Sequence, residues 1–150
     1  MAKIYASRGC PLVLTARSEK PLQDLVQELT QTYKNMQIFY VTGDSTKESD
    51  CDAIVDFTIR KFGRIDITVL SAGLGLIRRF DESPDVGEFK KLMDVNLFGY
   101  VNMTKYLLPH LKTSKGQIVV ISSLSGYFAT PTRAAYCSTK FAVNGFFQCL

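Results

Sequence analysis

Tyr136 and Lys140 stand four residues apart in Ala134-Ala135-Tyr136-Cys137-Ser138-Thr139-Lys140. On a helix that spacing puts both on one face. A free phenol, with a pKa of about 10, is a poor base near neutral pH. An ammonium beside it favours the phenolate, so Tyr-x-x-x-Lys is a workable acid/base pair. The same spacing also suits a solvated face with no chemistry. Ser123 adds a second group, directly after an apolar run. Its hydroxyl can hydrogen-bond a carbonyl whose oxygen gains negative charge, or it can simply build the turn Ser122-Ser123-Leu124-Ser125-Gly126. Asn96 is a third. It lies seven residues after Phe89 on an apolar helical stripe, where its amide must find partners, structural or catalytic. The cysteines Cys10, Cys51, Cys137 and Cys149 form no C-x-x-C pair, and His110 is the only histidine. No metal site is expected, and the cysteines read as reduced packing residues.

The elements that position these groups alternate. Pro11–Thr15, Gln37–Val41, Ile67–Leu70 and Gln117–Ser122 read as short buried strands. Between them lie helical stripes. The first carries Leu22, Leu25, Val26 and Leu29, with Ser18 able to cap it and Pro21 in its first turn. The second carries Val55, Ile59 and Phe62, with Ser45 and Glu48 at capping-box spacing and Gly63 ending it. A long helix from about Val86 to Leu111 carries Phe89, Leu92, Met93, Leu97 and Tyr100 on one side. A last helix starts near Ala134. This order implies βαβ units and a parallel sheet covered on both faces, an α/β doubly wound fold. Ligands bind beyond the carboxyl ends of such strands, so the chemistry is expected just after Thr15, Thr42, Leu70 and Ile121.

Composition sets the limits. The 150 residues are 46% hydrophobic and 21% charged, with a net charge of +4. That balance fits one folded domain and argues against disorder. The basic residues are spread along the chain, so no nucleic-acid stripe is expected. No apolar run approaches the roughly 18 residues of a membrane span.

With these groups in order, the chain resembles the short-chain dehydrogenases/reductases. Ser123–x12–Tyr136–x3–Lys140, with Pro131 between, is similar to the family's active-site signature. Asn96 in Asp94-Val95-Asn96 matches its fourth catalytic position. Phe62-Gly63-Arg64-Ile65-Asp66 followed by Ser71-Ala72-Gly73 looks like the family's Asn-Asn-Ala-Gly stretch and its approach. The resemblance covers all 150 residues in order. Within the family, Ser122–Gly126 and Lys140–Phe147 look most like the 11β-hydroxysteroid dehydrogenase group. Ser71 departs from the family's Asn, which ties neighbouring strands together; a Ser reaches less far.

The resemblance implies a Rossmann-type parallel sheet and hydride exchange between a nicotinamide cofactor and a small-molecule carbonyl or alcohol. Tyr136 is then the proton donor. Lys140 assists it and holds the ribose hydroxyls, Ser123 polarises the carbonyl, and Asn96 holds a relaying water. Ser71, Ala72 and Gly73 line the cofactor, and Asp44 contacts the adenine, unless it simply caps a helix. No carboxylate follows the Thr15-Ala16-Arg17 strand end. Arg17 can pair with a 2′-phosphate, so NADP(H) is expected over NAD(H); the alternative is a surface Arg at a helix start.

The family opens on a strand and the turn Thr-Gly-x-x-x-Gly-x-Gly, whose backbone donors hold the pyrophosphate. Gly73-Leu74-Gly75 is not that turn, because Arg78 stands where the third glycine of G-x-G-x-x-G belongs. Residues 1–150 are therefore expected to be a partial cofactor-binding domain, lacking the middle strand between the Leu12 and Val69 strands and the C-terminal strands. By themselves they are expected to be inactive, or to be a non-catalytic form that at most dimerises. The complete protein is expected to be a homodimer or homotetramer, paired through the Val86–Leu111 and Ala134–Leu150 helices. Its location defaults to the cytoplasm, with a membrane anchor upstream of Met1 left open.

Overall fold

The structure, a computed structural model, describes residues 1–82 and 85–150. They form two compact units, residues 1–44 with 49–63 and residues 45–48 with 64–150.

The first unit runs α1 (Ala2–Ser7), β1 (Leu12–Ala16), α2 (Glu19–Thr32), β2 (Ile38–Thr42) and α3 (Glu48–Phe62), whose first residue, Glu48, belongs to the second unit. β1 and β2 pair in parallel, with Leu12 opposite Ile38 and Ala16 opposite Thr42. Pro11, which has no N–H to give a ladder, lies just outside the strand; the ladder opens at Leu12, whose N–H donates to the Gln37 carbonyl (2.9 Å). Leu29, Ile38 and Ala6 form the core, with Leu12, Leu14, Leu25 and Val26 packed on it. Ser18 occupies the N-cap of α2, but its side chain makes no cap bond. Pro21 lies in the first turn, and Gly63, with φ of 72°, ends α3 as expected.

The second unit holds β3 (Ile67–Leu70), α4 (Gly87–Met93), α5 (Gly99–Ser114), β4 (Gln117–Val120) and α6 (Ala134–Cys149). β3 and β4 are parallel, with Ile67 opposite Gln117 and Leu70 opposite Val120. Each sheet has two strands, and among the described residues no strand joins them. Strands parallel within each pair and alternating with helices give the α/β, doubly wound type, in incomplete form.

Four local expectations are corrected. α3 begins at Glu48 rather than just after Ser45, and the Glu48 carboxylate accepts from Lys105 Nζ (2.6 Å) and Tyr106 OH (3.0 Å) of α5. The helix from Val86 to Leu111 is interrupted by a π-turn at Asp94–Phe98. β4 stops at Val120, two residues early. Ile121 still donates its N–H to Leu70 (2.9 Å), but its carbonyl leaves the ladder and accepts from side chains. Cys51 and Cys137 are buried and unbridged, whereas Cys149 is exposed rather than packed.

Candidate active site

The functional groups of the second unit come from three places: the segment after β3, the π-turn, and the start of α6 facing the end of β4. A cleft of about 590 Å³ is lined there by Ser71, Gly73, Leu74, Arg133, Tyr136 and Lys140, among others. That volume is in the range of small-ligand sites, roughly 300–1,000 Å³.

Lys140 is the most constrained of these groups. It is 4% exposed. Its Nζ donates to the Ile121 carbonyl (3.0 Å) and lies 5.8 Å from the centre of the Tyr136 ring and 5.7 Å from that of Tyr100. Burial pushes the ammonium below the usual lysine range, because desolvation disfavours its charged form. An ammonium has three donors, and the carbonyl takes one.

Tyr100, which the sequence shows only as a stripe residue, is 1% exposed, and its hydroxyl reaches the same Ile121 carbonyl at 3.4 Å. Burial, then the nearby Tyr136, raises its pKa to about 12. The unfolded phenol ionises near 10. Below that pH both states are protonated and the contribution of Tyr100 is intact; between about 10 and 12 the unfolded state loses its proton first, and stability falls. Tyr100→Phe is expected to flatten the decline of Tm across pH 10–12. An identical decline in variant and parent would show that Tyr100 is not its source.

Asn96 is fully buried, and its amide is engaged in the structure itself. Oδ1 accepts from the Leu74 N–H (2.7 Å), and Nδ2 donates to the Leu74 carbonyl (2.9 Å) and to Thr139 Oγ1 (3.0 Å). It thus staples the segment after β3 to α6. Thr139, which the sequence did not single out, completes the staple.

Ser123 caps the short 3₁₀ turn Leu124–Gly126, where its Oγ accepts from the Ser125 N–H (3.1 Å). The turn-building reading is therefore realised, and the hydroxyl proton is left as a donor. Ser122, not Ser123, lines the cleft, and it donates to Asn144 Oδ1 (2.6 Å). Asn144 in turn donates to the Gly126 carbonyl (2.9 Å). A Cβ at Gly126 would stand 2.8 Å from the Lys140 carbonyl, so only glycine permits this approach of turn to helix. The pairing of Ser122 with Asn144 has no local sequence signal, since it spans 22 residues.

Ser71, Ala72 and Gly73 are exposed directly after β3. In the first unit, Arg17 is exposed just past β1. Asp44 follows Thr42-Gly43 past β2, and its N–H donates to Asp50 Oδ2 (2.9 Å). Both stand at the carboxyl ends of paired strands, where the sequence put them.

Known proteins match this chain over its length. The family model described as short chain dehydrogenase matches residues 1–150. The chain is 39% identical over its whole length to 11-beta-hydroxysteroid dehydrogenase A of Sesamum indicum, of which it covers 43%. It is 37% identical to the hydroxysteroid 11-beta-dehydrogenase 1-like protein of Gallus gallus, covering 52%. Among solved structures, an alcohol dehydrogenase from the archaeon Thermococcus sibiricus, complexed with 5-hydroxy-NADP, superposes with a TM-score of 0.94 at 30% identity, over 99% of this chain and 62% of that one. The chain spans about half the length of the curated relatives it matches. With its whole length matched by the family model, the chain belongs to the short-chain dehydrogenase/reductase family.

Proposed function

We propose that residues 1–150 carry the Ser–Tyr–Lys set of an NADP(H)-dependent oxidoreductase that interconverts a carbonyl and an alcohol, within a longer natural protein. The observation that carries this reading is Lys140. A buried ammonium with one donor engaged, against the Tyr136 ring in a cleft, suits a vicinal diol beside an acid/base phenol. That donor set fits the ribose of a nicotinamide cofactor, which when bound supplies or accepts the hydride.

In the reducing direction Tyr136 gives its phenolic proton to the substrate oxygen as charge develops there. Lys140 stabilises the phenolate left behind and keeps two N–H groups for the ribose hydroxyls. Ser123 offers its remaining proton to the carbonyl. Since both amide hydrogens of Asn96 are engaged, a water relaying protons to Lys140 is held through an acceptor oxygen there. Ser71, Ala72 and Gly73 border the cofactor. In the first unit, Asp44 takes the adenine and Arg17 the 2′-phosphate.

Arg17 makes no ion pair within the described residues, which supports a role for it in ligand binding. Losing one charge-assisted phosphate contact costs about 1.5–3 kcal/mol, or roughly tenfold or more in affinity. Arg17→Ala in the natural protein is expected to weaken NADPH by that factor and leave NADH nearly unchanged. Equal losses for both cofactors would make Arg17 a structural residue.

Two further readings attach to this one. Phe98 and Phe141 are large apolar residues about half exposed on the helical segments that the family uses for pairing, which supports a homodimer or homotetramer. Each two-stranded sheet also leaves backbone donors and acceptors unpaired along its edges, which supports the inactivity of residues 1–150 alone. NADPH is expected to leave the thermal transition of that isolated polypeptide unmoved; a rise of several degrees would refute this.

A further inference from the structure

The cleft beside Tyr136 holds a cation whose charge has no partner. We infer that Arg133 is a specificity-determining residue that takes an anionic group of the substrate, so that the cleft selects carbonyl or alcohol compounds carrying a carboxylate together with an apolar portion. The inference deepens the reading of Tyr136 as acid/base and rests on it.

Arg133 immediately precedes α6, three residues before Tyr136, and lines the same cleft. It is partly buried, and a guanidinium does not shed its charge. Taking such a group from water is unfavourable unless something of opposite charge meets it. Other arginines of this unit have that partner: Arg78 pairs with Glu88 (2.9 Å), and Arg79 pairs with Asp81 (2.8 Å). Arg133 has none among the described residues. The cleft lining contains two cations, Arg133 and Lys140, and no carboxylate. Lys140 is already turned to the Ile121 carbonyl. The cationic fork therefore awaits a ligand, and a planar carboxylate matches its geometry.

The rest of the wall says what accompanies the anion. Leu74, Leu76 and Ile77 line the cleft with apolar surface. A substrate that meets both features is amphipathic, with an anionic end and a hydrocarbon body.

The backbone holds Arg133 in place. Thr132, a β-branched residue, sits at φ 65°, a left-handed conformation such residues rarely adopt. Its carbonyl accepts from the Arg78 N–H (2.8 Å), and the Arg133 N–H donates to Thr130 (3.2 Å). The peptide between Thr132 and Arg133 is thus held at both its carbonyl and its N–H, and on the other side the Arg133 carbonyl accepts from the Cys137 N–H (2.8 Å).

An anion in this cleft has a second source, a phosphate of the nicotinamide cofactor, and the experiment separates the two. The natural protein is assayed with NADPH on aromatic and aliphatic keto acids, each paired with its methyl ester, alongside Arg133→Ala and Arg133→Lys. The acid of at least one pair is expected to exceed its ester in kcat/KM by about tenfold or more. Arg133→Ala should abolish that preference by lowering kcat/KM for the acid to about that of its ester, with the KM for NADPH held. Arg133→Lys, which keeps charge without the fork, should restore part of it. Ester turnover by wild type without any preference for acids would overturn the inference and leave the oxidoreductase reading standing. So would a raised KM for NADPH in Arg133→Ala, which would assign the residue to the cofactor. Turnover that survives Tyr136→Phe would remove the underlying reading instead.

Discussion

Tyr136→Phe in the natural protein is expected to lower carbonyl reduction by about 10²–10⁴-fold, the usual contribution of a positioned acid/base group. Expressed as a barrier, that is roughly 3–5 kcal/mol. The change removes one oxygen and keeps the ring that faces the Lys140 ammonium at 5.8 Å. Cofactor affinity should therefore stay close to that of the parent, so the loss falls on kcat. Steady-state rates with NADPH and a reducible carbonyl, together with a direct NADPH titration, check both halves. A rate within a factor of a few of wild type would mean that another group moves the proton.

Lys140→Met is expected to cost at least as much in kcat/KM and, unlike Tyr136→Phe, to weaken NADPH as well. One side chain carries both tasks: its charge faces the phenol, and its free donors face the diol. Stability should move the other way or stay level. Burial holds the ammonium below the lysine range, so the unfolded chain binds its proton more tightly than the folded one. The cost is fully present below the lowered folded value and fades as pH rises towards the unfolded value near 10.5. Methionine removes that cost at neutral pH, and the Tyr100 hydroxyl remains within 3.4 Å of the Ile121 carbonyl. Thermal melts at pH 7 should therefore show a Tm no lower than wild type. A drop of many degrees would show that Lys140 holds the fold as much as the chemistry.

Much of this was legible before any coordinates. Strand runs such as Ile67–Leu70 are short, apolar and bounded by turn residues, and burial on both faces leaves little else for them to do. Arg17, Asp44, Ser71 and Ser123 follow such runs, so their placement at strand ends was readable too. What sequence did not show depends on partners far away in the chain. Glu48 and Ser45 have the local pattern of a capping box, but Lys105 and Tyr106, 57 and 58 residues on, take the carboxylate. Asn96 looks like a polar residue in search of a task. Leu74 and Thr139 occupy it, at separations of 22 and 43 residues. The early end of β4 has the same origin, since the carbonyl that would extend the ladder is turned to Lys140. In each case a tertiary hydrogen bond overrode a sound local preference.

The π-turn at Asp94–Phe98 sets the angular phase between two halves of one helix. On an uninterrupted α-helix, Leu92 and Tyr100, eight residues apart, would point about 80° away from each other. A π-turn absorbs one extra residue, about 100° of rotation, and brings the two to within roughly 20°. Both are in fact buried, at 5% and 1% exposure. A one-residue deletion between 94 and 98 would leave a regular α-helix with the two residues seven apart, again within roughly 20° of each other. A segment of unchanged length that relaxed into a regular α-helix would instead swing Tyr100 by about 100° away from the Ile121 carbonyl it shares with Lys140. The π-turn itself, rather than the number of residues in the segment, is therefore what keeps Tyr100 in phase with Leu92.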